Sequence, residues 1–357
     1  MTLAAKTQAT PLEHIARRTK WRPLEILFWL LTPAPFFLTP DYLQLASQIA
    51  ITALFAISLD LILGYGGLVS LGHAAFFGLG AYAAGLFSKH VWGEPFSGLL
   101  LAAVAAGLLG YALSFIIATF RGLALIMITL GIGQLMAEAA NSAGWLTGGA
   151  DGLQGVKMWP LFGRIRFDLY GTTAYGYSLI ALFLCFLVAR RVTNSPFGLS
   201  LQGIRENSTR MLAIGAPNTQ HVRKIFTIAA VMAGIAGALL TQTTETVSLE
   251  TLSFQRSAEL LVILILGGVG RLYGGIIGAI IYMVARDQFS GVNPQYWYFW
   301  IGMLLIAVVV FLPNGILGGS ASVLVRLRAI LPGIFELARS KIAKLVSQLR
   351  NPRNDWS

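Results

Sequence analysis

The residues of this sequence that could do chemistry are few, and the most conspicuous are ionisable groups in apolar stretches. Asp60, Glu138, Glu259 and Arg271 lie within or at the ends of such stretches. A charge in an apolar segment of membrane-spanning length is expensive, so it usually marks a pathway for a substrate or ion. Asp60 and Arg271 are the best candidates for that role. The alternative is a structural pair that stabilises a break in a helix.

The histidines and the cysteine predict no metal site or redox chemistry. His73 lies among small and aromatic residues, so a buried neutral imidazole that bonds a backbone carbonyl is favoured over a proton relay. His14, His90 and His221 show no metal-binding spacing. The single cysteine, Cys185, lies in an apolar run and cannot form a disulfide within one chain. We expect no cofactor.

Catalytic motifs are also missing from the sequence. It contains no Gly-x-Ser-x-Gly, no His-Glu-x-x-His and no pair of carboxylates within one predicted outer loop. We therefore predict that the chain is not an enzyme.

The elements that must position these residues are apolar helices. Of the 357 residues, 56% are hydrophobic and 11% are charged, and the mean hydropathy is +0.70, whereas a soluble domain carries about 25% charged residues. Apolar stretches near the bilayer-spanning length of roughly 20 residues recur along the chain. The composition predicts an all-α polytopic membrane protein. We expect about eight full crossings, at residues 24–38, 43–63, 69–87, 97–119, 122–140, 176–189, 225–243 and 296–312.

The basic residues indicate which loops face the cytoplasm. The net charge is +11, and 18 of the 26 Lys and Arg residues fall within 1–23, 190–224 and 319–357. Clustering of cations in loops beside spans is the positive-inside pattern, so these three segments, including both termini, are predicted to be cytoplasmic. The charge is thereby explained without nucleic-acid binding. The loop at 141–175 is then periplasmic, and the basic tail at 319–357 is predicted to be an amphipathic helix on the inner membrane surface.

One further apolar segment, Ser257 to Ala285, has a glycine-rich centre that breaks a continuous helix. It is too long for one span and too short for two. Because eight crossings leave both ends on one side, a re-entrant hairpin fits the charges; the alternative is one kinked span with a mistaken assignment elsewhere. A similar glycine pattern occurs near Gly64, and paired interruptions of this kind often border a transport pathway. The predicted translocation path is Asp60, Gly64, Gly67, Ser70, Gly72, His73, Gly267, Gly268, Gly270 and Arg271.

The predicted cytoplasmic loop contains a short amphipathic helix between Pro196 and Gly215. Apolar residues can form one side, while Arg205, Glu206 and Arg210 face water. This pattern is typical of a helix docked in the groove of a partner protein. A helix that lies on its own bundle would show the same pattern.

Several motifs, in order along residues 45 to 318, resemble those of branched-chain amino acid ABC transporter permeases. They are Ser195-Pro196-Phe197-Gly198, Ile204-Arg205-Glu206-Asn207, Ala213-Ile214-Gly215, the stretch from Leu63 to Gly78, Thr147 to Leu153, Leu266 to Gly270, and Phe311 to Gly318. Leu199-Ser200 and Asn207-Ser208 depart from the family's usual pattern, which leaves the details of coupling contacts open. The resemblance implies that Arg205, Glu206, Asn207, Ala213 and Gly215 couple the chain to an ATPase.

The same resemblance implies a set of partners. No Gly-x-x-x-x-Gly-Lys-Ser/Thr phosphate loop occurs in the sequence, so ATP hydrolysis would fall to separate chains. The implied assembly has two ATP-binding subunits, a second permease subunit and a periplasmic solute-binding protein, in the bacterial inner membrane. Asp60 and Arg271 are then slightly better explained as structural, because a permease supplied by a binding protein needs little substrate affinity.

Alternatives to this function remain open at the level of sequence. Similar chains serve urea, amides or other small amino acids instead of branched-chain ones. A stand-alone carrier or channel is the rival from another class, and it would need more intramembrane charge than the sequence supplies.

Overall fold

The fold is a bundle of α-helices. A computed structural model of the chain describes residues 21–161, 163, 167–168, 170–312 and 314–319. The basic segment at 1–20 and the predicted amphipathic tail lie outside the described residues. Within them every regular element is helical apart from an isolated antiparallel bridge between Leu153 and Val247, which confirms the all-α prediction. The helices of six residues or more are α1 Pro23–Leu31, α2 Leu43–Asp60, α3 Ala74–His90, α4 Pro95–Ile117, α5 Leu123–Ser142, α6 Thr172–Thr193, α7 Pro196–Glu206, α8 Ser208–Ala213, α9 Asn218–Thr244, α10 Phe254–Gly267, α11 Leu272–Val292 and α12 Trp297–Phe311.

Six of the described helical segments are long and apolar enough to cross a membrane, or seven if α10 and α11 form one span. Two predicted spans are shorter than expected. The first is α1 followed by a separate turn of helix at Pro35–Leu38, because Pro33 and Pro35 interrupt it. The other is α3, which begins at Ala74 and not near 69. The chain is thus a multi-pass membrane protein, while the count of eight and the side on which the termini lie stay predictions.

The predicted break in the 257–285 segment is present and is sharp. Helices α10 and α11 are bent by 111° about residues 268–271. Gly268 and Gly270 there have φ values of 114° and 78°, which side chains other than glycine rarely adopt. Arg256 near the start of α10 and Arg286 near the end of α11 line one cavity, so the two arms return to the same end of the bundle. We call the bent pair the α10–α11 hairpin, while the choice between a re-entrant segment and one kinked span stays a prediction.

The bundle has two opposite ends. The lower end is the one that carries α7 and α8. At the upper end, Leu153 and Val247 form their bridge through hydrogen bonds of 2.8 and 3.0 Å. The tip of the α10–α11 hairpin points to the lower end, where Arg205 approaches Gly270.

Helix α9 lies at the centre of the bundle and packs through small residues. A side chain added at Gly237 would collide with the backbone of Phe77 on α3, and one added at Gly80 would collide with Gly234. Ala102 and Ala106 of α4 lie against Gly234 from the other side. Such small-residue contacts let apolar helices approach closely, which is how helices associate in a membrane.

Candidate coupling and transport site

The loop between α6 and α9 folds as two helices where the sequence predicted one. Ser195 begins α7, and its side chain accepts a hydrogen bond from the N–H of Gly198 at 3.3 Å. Asn207 ends α7 and begins α8, since its side chain accepts a hydrogen bond from the N–H of Arg210 at 2.9 Å. A short polar side chain at this position caps a helix start. Asn207 therefore has a structural task within the loop itself.

The apolar residues of this loop divide into two groups. Leu201 and Ile204 on α7 are buried against the bundle. Leu212 and Ile214, on α8 and just after it, are 60% and 72% exposed. Helix α7 thus lies on its own bundle, while the end of α8 exposes apolar side chains to solvent, and docking to a partner stays a prediction.

All five predicted coupling residues lie on the outer surface of this loop. Arg205, Glu206, Asn207, Ala213 and Gly215 are exposed. Gly215 has a φ of 85°, and no atom of the described part of the chain lies within 4 Å of the position where its side chain would start. Glycine is thus needed here for the shape of the turn after α8, not for close packing.

Arg205 differs from the others because its side chain, although exposed, also contacts the bundle. Its Nη1 donates a hydrogen bond to the carbonyl oxygen of Gly64, and its aliphatic stem lies against Gly67. Arg205 is exposed, as the sequence predicted, and the contact of its Nη1 with Gly64 is an addition that the sequence did not reveal. Gly67 has a φ of 69° and opens the non-helical stretch that leads to α3.

Gly64 and Gly270 bring the two glycine-rich stretches into direct contact, which we call the glycine contact. Gly64 lies in a π-helical turn, Leu61–Tyr65, at the end of α2. A side chain added at Gly64 would start 2.5 Å from the nitrogen of Gly270 and would also collide with Asp60. The N–H of Gly270 donates a 2.7 Å hydrogen bond to Oδ1 of Asp60, whose other oxygen is buried and has no hydrogen-bond partner among the described residues.

The suggestion that Asp60 pairs with Arg271 to stabilise the helix break is wrong about Arg271. Asp60 stabilises the helix break through the backbone of Gly270, and Arg271 is exposed beside Gly318. Asp60 and Arg271 form no ion pair in the described part of the chain. A neutral N–H can satisfy a carboxylate where a cation was expected, which the sequence does not reveal.

The remaining residues of the predicted path are packed, not exposed to a channel. Gly267 lies against Gly274, and Gly268 lies against Gly315. Gly72 lies on the backbone of Thr129 of α5, and Ser70 next to it is buried. These four residues thus lie in packed contacts, and the opening of a path along them would have to separate those contacts.

His73 is fully buried, as predicted, but its partner is not a backbone carbonyl. Its Nε2 lies 2.9 Å from Oγ of Ser58, and the hydroxyl of Ser58 donates to the carbonyl of Phe55 at 2.6 Å. The imidazole stacks on the ring of Phe55 at 5.6 Å. Among the described residues, no second titratable group follows in this chain of bonds, which favours a structural contact over a proton relay.

A cavity at the upper end collects charged residues that the sequence patterns did not single out. Its volume is about 190 Å³, and its lining includes Glu250, Arg256 and Arg286. Arg256 pairs with Glu259 at 3.3 Å, which accounts for one of the intramembrane charges. Glu250, Arg256 and Arg286 were overlooked because they come from three separate segments, the turn after α9 and the helices α10 and α11. Among the described residues, no group of three metal-ligand side chains comes together.

Comparisons with known proteins agree with the helical bundle and its motifs. A family model described as the permease component of branched-chain amino acid transport systems matches residues 42–309. The chain is 27% identical over 305 residues to the high-affinity branched-chain amino acid transport system permease protein LivM of Salmonella typhimurium, covering 79% of this chain and 71% of that protein. The match to LivM of Escherichia coli has the same extent.

A more distant relative extends the same similarity. The chain is 22% identical over 316 residues to a probable branched-chain amino acid transport permease protein LivM of Methanocaldococcus jannaschii, covering 73% of this chain and 89% of that protein. No solved structure matches the chain. The family model covers most of the chain, including the glycine-rich stretches around Gly64 and Gly270 and the loop of α7 and α8. The chain belongs to the family of permease components of branched-chain amino acid transport systems.

Proposed function

We propose that the chain is the membrane-spanning subunit of an ATP-driven importer that moves branched-chain amino acids from a periplasmic binding protein to the cytoplasm. In this proposal the protein lies in the bacterial inner membrane, with the lower end of the bundle in the cytoplasm. The observation that carries it is the position of Arg205, which joins the loop of α7 and α8 to the glycine contact.

The α7–α8 loop has the properties of a docking site for an ATPase. Leu212 and Ile214 are exposed next to the charged residues Glu206 and Arg210. An apolar patch with a polar rim on a short helix fits the groove of a partner protein. The loop also carries the cations that the positive-inside pattern assigns to the cytoplasm, where ATP is available.

Few contacts separate the proposed ATPase docking site from the proposed transport path, so movement of the ATPase would be transmitted through them. A displacement of α7 would pull the carbonyl of Gly64 through Arg205, and Gly64 packs directly on Gly270 at the hairpin tip. Tightly packed contacts transmit displacement because they compress little. The glycine contact would then act as the point where coupling opens or closes the lower end.

Helix α5 supports the proposal that a second permease chain completes the pathway. In its most apolar stretch of 18 residues only 11% of the residues are buried. Its exposed face includes Gln134 and Glu138, which are one helical turn apart. A carboxylate and an amide that face lipid would be costly, so this face fits a protein partner or a water-filled path between two permeases.

Isolation of the whole assembly tests the proposal. The chain is purified in mild detergent, the co-purifying proteins are identified by mass spectrometry, and the assembly is reconstituted in liposomes. We expect two ATPase chains, a second permease, and leucine uptake that needs both ATP and the binding protein. Recovery of the chain alone, with uptake in the absence of ATP, would overturn the proposal. Uptake of urea or an amide but not of leucine would overturn the substrate assignment alone.

Loop variants test the coupling role. Glu206→Arg, Leu212→Asp and Gly215→Asp should each lower both ATPase recovery and uptake, because they reverse a charge, insert one into the apolar patch or strain the turn at Gly215. Arg121→Glu is the control, since it reverses a charge on the exposed connection between α4 and α5. Normal uptake by all three loop variants at normal expression would exclude the docking role.

A further inference from the structure

The cavity at the upper end combines charges of both signs with an apolar wall. Glu250 comes from the turn after α9, Arg256 from the start of α10 and Arg286 from the last third of α11. The lining also contains polar side chains of Gln48 and Thr52, on the first turns of α2. Helices and a short turn, not a flexible loop, therefore hold these groups in place.

The two arginines of the cavity are not equivalent. Arg256 forms the ion pair with Glu259, and 22% of its side chain is exposed. Arg286 forms no ion pair in the described part of the chain, and its guanidinium carbon lies 5.2 Å from the ring centre of Trp297. Stacking on an aromatic ring leaves the edge of a guanidinium free to bind a carboxylate through two parallel hydrogen bonds. Arg286 is thus the available anion-binding group.

Glu250 supplies the opposite charge. It is exposed at the mouth of the cavity and forms no ion pair within the described ranges. A ligand that is neutral overall but carries both charges would satisfy Glu250 and Arg286 together. A simple anion would be repelled by Glu250, and a simple cation by the arginines.

The rest of the wall and the size of the cavity narrow the ligand further. Ile51, Leu240 and Met283 form an apolar part of the lining. The cavity volume of about 190 Å³ is below the range of roughly 300–1,000 Å³ of sites for drug-sized ligands. A free amino acid with an aliphatic side chain matches this combination of both charges, an apolar wall and small volume.

We propose that this cavity is a binding site for a zwitterionic aliphatic amino acid, with Arg286 bound to the α-carboxylate, Glu250 near the α-ammonium group, and Ile51, Leu240 and Met283 against the side chain. The inference rests on the proposed function, since the upper end is then periplasmic and receives substrate from the binding protein. In this proposal the cavity is the first site at which this chain binds the substrate after the binding protein releases it. Gln48 at the cavity and Asp60 at the glycine contact lie on the same helix, about 18 Å apart along its axis.

Protection of an introduced cysteine from labelling tests the site directly. Ser248, which is exposed and lines the cavity, is changed to cysteine in a Cys185→Ser background, and the purified assembly is labelled with a membrane-impermeant thiol reagent. We expect leucine to slow labelling of the Ser248→Cys variant. It should not slow labelling of Ser142→Cys, which is exposed near the same end outside the cavity. If Ser248→Cys does not assemble, Gln48→Cys replaces it.

Analogues and a second substitution identify the two charged contacts. Leucinamide lacks the carboxylate and 4-methylpentanoate lacks the ammonium group, so both should protect more weakly than leucine. Adding Arg286→Gln should raise the leucine concentration for half protection roughly 10- to 100-fold, the effect of losing hydrogen bonds between charged groups. Leucine and leucinamide should then protect almost equally, whereas a merely structural role of Arg286 would leave their ratio unchanged.

The outcomes separate this site from the proposed function. The parent assembly must first show ATP-driven leucine uptake, and its failure to do so would contradict the proposed function. If uptake is normal but leucine does not slow labelling at either cavity position, the site proposal is wrong while the transport role stands. Equal protection by leucine and leucinamide in the parent assembly would likewise contradict the assignment of Arg286.

Discussion

Asp60 holds the tip of the α10–α11 hairpin from a distance of 210 residues along the chain. Its Oδ1 accepts a 2.7 Å hydrogen bond from the N–H of Gly270, and the carboxylate is buried. Because Gly270 lies in a turn, this N–H has no partner in a regular helix. The hydrogen bond therefore satisfies a backbone group that a broken helix would otherwise leave unpaired in an apolar surrounding.

Substitutions at Asp60 separate the hydrogen bond from the charge. Asp60→Asn retains an oxygen acceptor of the same geometry, so we expect an assembly with nearly the stability of the parent. Asp60→Leu removes the acceptor and leaves the buried N–H of Gly270 unpaired, which costs about 1–3 kcal/mol. Thermal denaturation of the purified assembly measures both. An equal loss of stability in Asp60→Asn would mean that the negative charge, not the acceptor, is required.

Gly64 should tolerate no side chain at the glycine contact. Gly64→Ala would place a methyl group 2.5 Å from the nitrogen of Gly270, so the two turns must separate. Overpacking of this kind costs about 1–3 kcal/mol. We expect less folded protein and lower uptake. Gly302→Ala on α12 is the matched control because no described residue lies within 4 Å of its new methyl group. Equal yields of the two variants would argue against a close contact at Gly64.

The sequence predicted elements well where hydrophobic length decides the outcome. The span predicted at 122–140 is the helix Leu123–Ser142, and the break expected near Gly267 is present. Glycine and proline interrupt a helix at their own position, so the sequence could predict the interruption after α1 and the break between α10 and α11. The late start of α3 could not, since it depends on how Gly67 and Gly72 pack against distant residues.

The candidate site was less predictable because its contacts join remote segments. The sequence marked Asp60 and Arg205 as important, but it did not reveal the partner of either residue. Asp60 accepts a hydrogen bond from a backbone N–H, and Arg205 donates one to a backbone carbonyl. Every residue type has a backbone carbonyl, and all except proline have a backbone N–H, so the amino-acid type does not identify such a partner. Arg286 was overlooked for a related reason, because a cation near a helix end looks like a solvated residue until the fold places it in a cavity.

Arg205 should transmit motion without being needed for docking. Arg205→Gln shortens the side chain and removes the charged donor to the carbonyl of Gly64. We expect the ATPase chains to co-purify normally while uptake per ATP hydrolysed falls several-fold. Arg121→Gln is the control, since Arg121 is exposed on the connection between α4 and α5, outside this loop. Loss of the ATPase chains from the Arg205→Gln assembly would show instead that Arg205 belongs to the docking surface.

The polar face of α5 should lie against the second permease chain. A cysteine in place of Glu138, in a Cys185→Ser background, should form a cross-link to that chain with a short bifunctional thiol reagent when a matching cysteine is introduced there. Leu108→Cys on α4 should not, because Leu108 is 66% exposed on a helix whose outward side chains are apolar and suited to lipid. Mass spectrometry of the cross-linked product identifies the partner peptide. Cross-linking from Leu108→Cys but not from Glu138→Cys would place the second permease on α4 and leave Glu138 to face a path filled with water.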